Sequence, residues 1–467
     1  MTQVLAIGFY FLCALGVGAL SYKKRSSAAD FLMGGRSLNY WLTALAAHAS
    51  DMSNWLFMGY PAMIFVGGLF NGWVAIGLTL CMYLNWQWIA PKLRALTEKS
   101  GDLTLSGFFE TRLSDRTGLI RLFSAGLCFL FYAVYIAAGL VGLGLLSESF
   151  FGISYEVGIT CGIAIVIAYV LIGGYVTLAW LDLFQGLFLL GIIVAVPLLL
   201  LPSIGGVSQL STTTSLLPNF KGATLFSIVS LTLGWGLGYF GQPHILTKFM
   251  GIRETSQIKQ SKRVGMSWMV LSLFAATCVG LVATAYFTGG IDDPEMIFIE
   301  MVKRSFSPFA ASFILCAIVA AIINVMSSQM LVISSILSED FYKKFFKKSA
   351  TDQKGLLISR LSMIGVGLLA LCVAALKPAS IFQLVQYAWS GLGASFGPLL
   401  LYSIYGKNRS RLGAWIGMLA GGTASALWPL LKLPIDPLLP AFCLNLLILW
   451  TFSFCLKINK NKINPSL

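Results

Sequence analysis

The stretch Ala46-Ala-His-Ala-Ser-Asp-Met-Ser-Asn-Trp-Leu-Phe-Met-Gly-Tyr-Pro61 decides how the chain is read. It lies inside an apolar run, 41–68, that exceeds the roughly 20 residues needed to cross a bilayer. Yet it carries His48, Ser50, Asp51, Ser53 and Asn54, and the breakers Gly59 and Pro61. A carboxylate at membrane depth costs roughly 2.5 to 3.5 kcal/mol on insertion scales. It is kept only where a cation, a polar partner or a water-filled cavity compensates. The stretch therefore reads as half of a binding site.

The rest of the chain agrees with a membrane setting. Of its 467 residues, 57% are hydrophobic and only 11% are charged, against about 25% charged in soluble domains. Mean hydropathy is +0.82. A net charge of +14 would suggest nucleic acid in a soluble protein. Here it fits basic cytoplasmic loops, and no nucleic-acid partner is expected. The nine Cys are scattered through apolar runs without CxxC or Cys/His spacing, so they read as buried thiols. Met1 leads straight into an apolar segment with no A-x-A-like site after it, which favours a first helix over a cleaved signal.

Apolar runs fall at about 3–21, 41–68, 70–90, 118–149, 155–174, 178–202, 222–247, 264–288, 308–337, 356–376, 381–405, 411–431 and 437–456. The reading is an all-α polytopic membrane protein of about 13 transmembrane helices. With alternating sides, 27 of the 32 Lys and Arg fall in linkers of one side or in the tail. The outer linker 291–300 is instead acidic. The positive-inside rule then puts the N-terminus outside and the C-terminus in the cytoplasm. No linker is long enough for a soluble domain, and 91–117 has room for a short interfacial helix. No catalytic or signalling domain is expected.

A second interrupted span, 222–247, contains Leu233-Gly-Trp-Gly-Leu-Gly-Tyr-Phe-Gly-Gln-Pro-His244. Non-helical backbone at membrane depth must be buried in protein or line a cavity. Two broken helices five spans apart point to an inverted-repeat transporter, whose half-helix ends face substrate and ions. Glycine packing with a proline kink explains either span taken alone. Asp51 reads as a cation neutraliser or as the partner of a buried donor. Were the backbone helical, His48 would share its face, three residues away, and a His beside a carboxylate can carry a proton. A hydrogen-bonded structural His fits equally well. Asp182 reads as well as an interfacial carboxylate, and His244 as structural. Asn324, Ser327 and Ser328 suit bonds between helices or ion ligation. Tyr135, Trp235 and Tyr239 can line a small cavity or simply pack. Tyr387-Ala-Trp-Ser-Gly-Leu-Gly-Ala-Ser-Phe-Gly-Pro398 reads as a hinge or gate.

At these residues the sequence resembles the sodium/solute symporter family. The matching runs are Gly34-Gly-Arg-Ser-Leu38, Ala49-Ser-Asp-Met-Ser53 with Trp55, Gly234-Trp-Gly-Leu-Gly-Tyr-Phe-Gly-Gln-Pro-His-Ile-Leu246, Ser338-Glu-Asp340 and the 387–398 run. The 234–246 run points to the proline-transporting branch. The resemblance implies a core of two inverted five-helix repeats, as in neurotransmitter:sodium symporters. It divides a single transmembrane domain, 1–467, into a leading helix and cytoplasmic linker (1–40), a first repeat (41–203), a second repeat (222–405) and two trailing helices with a tail (410–467). It also implies alternating-access symport of a small amino acid, proline above all, with a cation across a bacterial inner membrane. Sodium is the expected metal, and no other cofactor is expected. Carried over by position, Asp51 supports the cation, with carbonyls of Ala49, Met52 and Ala321 as ligands. Ser53, Trp55, Gly59, Tyr135, Trp235, Tyr239 and Pro243 fall along the substrate path. Arg36 lies on the cytoplasmic side and affects coupling, and Asp182 matches a carboxylate on the cation exit route.

The departures bear on the coupling ion. The family's sodium site takes two adjacent hydroxyls from the ninth span, where this chain has Asn324 and Val325. Asn324 still offers a carbonyl oxygen, whereas a Val side chain offers nothing to a hard cation. His48 and Asn54 stand where small residues are usual. Proton-coupled or weakly coupled transport is therefore the alternative to sodium symport. Another class, a solute-binding membrane sensor, would need a signalling partner. A channel would show re-entrant loops or charged rings. No nucleophile, metal or cofactor constellation suggests an enzyme.

Overall fold

The computed structural model describes residues 2–22, 28–213, 218, 224–346, 352–433 and 435–463. Lys23, Lys24, Arg25, Lys347 and Lys348, five of the 27 cations counted above, lie outside them, as does Lys221, which that count left out. The membrane helices are α1 (Thr2–Ser21), α2 (Tyr40–Ala49), α3 (Gly59–Gly67), α4 (Trp73–Leu84), α5 (Leu119–Leu146) and α6 (Tyr155–Leu200), then α7 (Leu225–Gly236), α8 (Pro243–Met250), α9 (Ile258–Tyr286), α10 (Pro308–Ser335), α11 (Asp352–Ala375), α12 (Ile381–Tyr405), α13 (Arg411–Leu427) and α14 (Leu438–Ile463).

Both expected breaks are present. The first span is α2, an irregular turn with a short 3-10 segment Asn54–Leu56, and α3. The second is α7, the 3-10 turn Leu237–Gly241, extended Gln242, and α8 with Pro243 in its first turn. Proline suits that position because its missing N–H is not needed there. The 46-residue α6 would be about 69 Å long if straight, more than twice the roughly 30 Å apolar core. It is instead bent at Gly174, whose φ of 61° and ψ of 179° leave the helical region. The runs 155–174 and 178–202 are thus two passes joined without a loop.

Nine helical runs among the described residues are long and apolar enough to cross a membrane. The second half of α6, the two broken helices and α12 bring the passes to the thirteen expected. The helix α10 is buried along nearly its whole length and packs on α6, α1 and α5. Exposed Val4, Leu5, Phe9, Leu12 and Leu15 on α1 present an apolar outer face, as lipid requires. The linker 91–117 holds two short helices, Ala90–Ser100 and Leu105–Leu113. The chain is a multi-pass membrane protein.

Candidate functional site

The turn between α2 and α3 frees main-chain groups. Asp51 and Met52 N–H groups both donate to the His48 carbonyl, and Ser53 N–H turns back to Asp51. Among the described residues, the carbonyls of Ala49 and Met52 receive no hydrogen bond. The Ser53 hydroxyl accepts from Trp55 N–H at 3.2 Å, so it caps the turn. Asn54 is fixed by its side-chain N–H to the Ala138 carbonyl of α5, 3.2 Å.

The second break lies against the first. The Tyr239 hydroxyl donates to the Asp51 carboxylate. Asn85 donates to the Tyr239 carbonyl at 2.8 Å, and Trp389 Nε1 donates to the Trp235 carbonyl at 2.8 Å. Gly238 is required here, because a Cβ would stand 2.0 Å from Trp389 Nε1. The start of α8 is closed by Tyr132, whose hydroxyl accepts from His244 N–H at 3.0 Å. The His244 ring meets the same hydroxyl through Nδ1 at 3.2 Å.

Between the breaks lies a small pocket of about 20 Å³, lined by Asp51, Met52, Trp55, Leu78, Tyr135, Trp235, Tyr239, Val385 and Trp389. Trp55 and Trp235 ring centres are 5.2 Å apart, and Tyr239 meets Trp389 edge-on at 5.1 Å. The pocket thus has one carboxylate, aromatic walls and free carbonyls close by. Sequence reasoning named Asp51, Met52, Trp55, Tyr135, Trp235 and Tyr239 for this region. It missed Trp389, Val385 and Leu78 as walls. The glycine-rich 387–398 run had marked Trp389, but only as part of a gate.

Other named residues lie elsewhere. Gly59 makes room for Trp55, since a Cβ would be 2.9 Å from the indole. Pro243 borders a second, tighter cavity. Arg36 holds the linkers together: its guanidinium donates to Thr97, Asp102 and Met250 carbonyls at 2.8, 2.9 and 3.0 Å, and to the Thr97 hydroxyl at 3.1 Å. His48 does not share partners with Asp51. Its Nε2 accepts from Trp86 Nε1 at 3.0 Å, its ring lies near Trp268, and it fills the space left by Gly265. The helical face that would have joined them ends at Ala49.

Asn324 is buried in α10, which packs on α2 and on the Asn54–Leu56 turn. Neither polar atom of its side chain has a partner among the described residues, and the same holds for the hydroxyls of Ser327 and Ser328. Unpaired buried polar atoms are costly, so this stripe suits an ion or water. Val325 is buried beside it. Ala321, one turn earlier, is inside the helix, where its carbonyl has only its second lone pair to offer. Lys248 corrects the charge reading: it lies in α8, not in a linker, and pairs with buried Asp182. Asp182 is buried inside the bundle.

A cavity of about 1020 Å³ opens on the side of the bundle where α7 and α12 begin, lined in part by Ser230, Gln386, Tyr387 and Asp436. On the opposite side, the cavity beside Pro243 and Lys248 has only about 10 Å³. The cavity beyond the start of α7 and α12 is thus far larger than the one beside α8.

The chain is 40% identical to the high-affinity proline transporter PutP of Bacillus subtilis, covering 92% of this chain and 93% of that protein. It is 38% identical to the osmoregulated proline transporter OpuE of B. subtilis, covering 91% and 88%. It is also 38% identical to the sodium/proline symporter of Salmonella typhimurium, covering 90% and 86%. In fold it matches a Na+-coupled sialic acid symporter in a substrate-bound, outward-open state, with a TM-score of 0.83 at 19% identity over 97% of this chain and 98% of that one. Mhp1, a nucleobase-cation-symport-1 family transporter, matches with 0.60 at 14% identity over 94% and 96%. The fold is thus that of cation-coupled symporters with inverted repeats. The model of the sodium:solute symporter family matches residues 31–421, and the chain belongs to that family of transporters.

Proposed function

We propose that the protein takes up proline, or an amino acid of similar size, by cation symport with alternating access. The observation that carries this is the Asp51–Tyr239 contact, which joins both helix breaks at the edge of an aromatic pocket. The identity to proline transporters supports the choice of substrate. At about 20 Å³ the pocket has room for about one water as it stands, so its aromatic walls part to admit a small apolar ring, whose orientation a few polar groups then fix. The repeats are 41–203 and 222–405, flanked by 1–40 and 410–467, and the basic linkers face the cytoplasm of a bacterial cell. With that orientation the large cavity is an outer vestibule. The cation lies among the carbonyls of Ala49, Met52 and Ala321 and the Asn324 amide, with Asp51 balancing its charge.

A second reading concerns the ion. Val325 cannot ligate sodium, which favours weak sodium binding or coupling to protons. Labelled proline uptake into proteoliposomes, driven by a sodium or a proton gradient separately, decides between them. Accumulation with sodium alone supports the Asn324 site, and accumulation with protons alone supports the second reading. If neither gradient drives accumulation and proline does not bind, the proposal fails.

A further inference from the structure

Lys248 and Asp182 form a buried ion pair, Lys248 beside the tight cavity. Nζ stands 2.9 Å from Oδ2, and the side chains are 2% and 3% exposed. Lys248 belongs to α8, the half-helix beyond the second break, and Asp182 to the second half of α6. Lys248 also lines the tight cavity together with Pro243, Leu331, Ile336 and Ser328. The Ser328 hydroxyl, fully buried there, has no hydrogen-bond partner among the described residues. An ammonium carries three donors, and Asp182 takes one of Lys248's. Buried ion pairs are weak devices for stability, because desolvation offsets their attraction.

We propose that this pair is an exit subsite for the zwitterionic substrate, in which Lys248 takes the carboxylate and Asp182 the ammonium as α8 moves away from α6. The proposal rests on the amino-acid reading above. Splitting a buried pair normally strands two charges. A zwitterion brings both opposite poles at once, so the net charge at the Lys248–Asp182 pair stays at zero throughout the exchange. A lone anion or cation cannot do this. The free Ser328 hydroxyl adds a donor for the carboxylate, and Pro243, Leu331 and Ile336 offer an apolar wall to a compact ring.

The test compares labelled proline transport in right-side-out and inside-out membrane vesicles carrying wild type or the double variant Lys248→Gln/Asp182→Asn. The amide pair keeps a hydrogen bond and removes both charges. The expected result is a cytoplasmic-face KM raised about tenfold or more, as loss of a buried charge contact implies, with the external KM within about twofold. Lys248→Arg alone, which keeps the charge, shows a smaller rise at the cytoplasmic face. Equal changes at both faces, or none, overturn the proposal and leave a structural latch. If the amide pair does not reach the membrane, Ser328→Ala gives the same comparison. A cytoplasmic KM raised alone, by about threefold for one lost hydrogen bond, supports the subsite, and an unchanged one overturns it. Wild type that carries no proline in either orientation refutes the substrate assignment, a separate result.

Discussion

The Tyr239 hydroxyl donates to the Asp51 carboxylate across 188 positions of chain. One residue follows α2 and the other follows α7, so the two interrupted spans meet in a single hydrogen bond. That bond borders the aromatic pocket, and movement of either half-helix is felt at the same carboxylate.

Asp51→Asn removes the charge and keeps the shape. Initial uptake should fall by about tenfold to a hundredfold, the scale of a lost charged hydrogen bond. Tyr239→Phe removes one donor and leaves the carboxylate in place, so a smaller loss is expected. Equal losses would show that Asp51 acts only through Tyr239.

His48 accepts from Trp86, whose indole N–H can only donate. The His48 proton therefore sits on Nδ1, which has no partner among the described residues. A cationic ring has no lone pair for Trp86, so protonation breaks this contact. His48→Gln keeps an acceptor, and the uptake profile over about pH 5.5 to 8, where an ordinary His titrates, should keep its shape. A flattened profile with uptake intact would return proton movement to His48. Gly265→Ala puts a Cβ 2.4 Å from His48 Cδ2 and should cost about 1–3 kcal/mol by overpacking, read as a lower melting temperature.

Asn324→Ser with Val325→Thr restores two hydroxyls on α10. If a hard cation binds there, the sodium concentration for half-maximal uptake should fall by about tenfold, as added oxygen ligands strengthen such sites. An unchanged sodium dependence would place the ion elsewhere.

Glu295 lies in the segment between α9 and α10, outside the spans. Its carboxylate accepts from Ile381 N–H at 3.0 Å and Phe382 N–H at 2.8 Å at the start of α12. Burial raises its pKa above the usual 4.5, and the two N–H groups offset part of that rise. The native state then holds more protons than the unfolded chain between 4.5 and the raised value. Stability from this group is full below that window and declines as pH rises through it. Glu295→Gln should flatten that slope in melting curves of the detergent-solubilised protein.

The breaks were legible because Gly, Pro and polar residues inside apolar runs conflict with continuous helix. Thirteen passes were legible because hydropathy and charge alternate. The partners of single residues were not. Lys248 looked like a linker cation, because nothing local to α8 announces Asp182, 66 positions away. Trp389 was hidden because its wall role depends on Gly238, which brings α12 against the second break. The separation of His48 from Asp51 needed the knowledge that α2 ends at Ala49, a boundary that sequence places only to within about 2–4 residues.

The bend at Gly174 makes α6 sensitive to phase. With no loop between its halves, an extra residue has nowhere to be absorbed. Inserting one residue just after Gly174 turns the following helix by about 100°. That would swing Asp182, about two turns further on, out of register with Lys248. Chain length at this corner is therefore fixed to the single residue, while the surface linkers elsewhere tolerate additions.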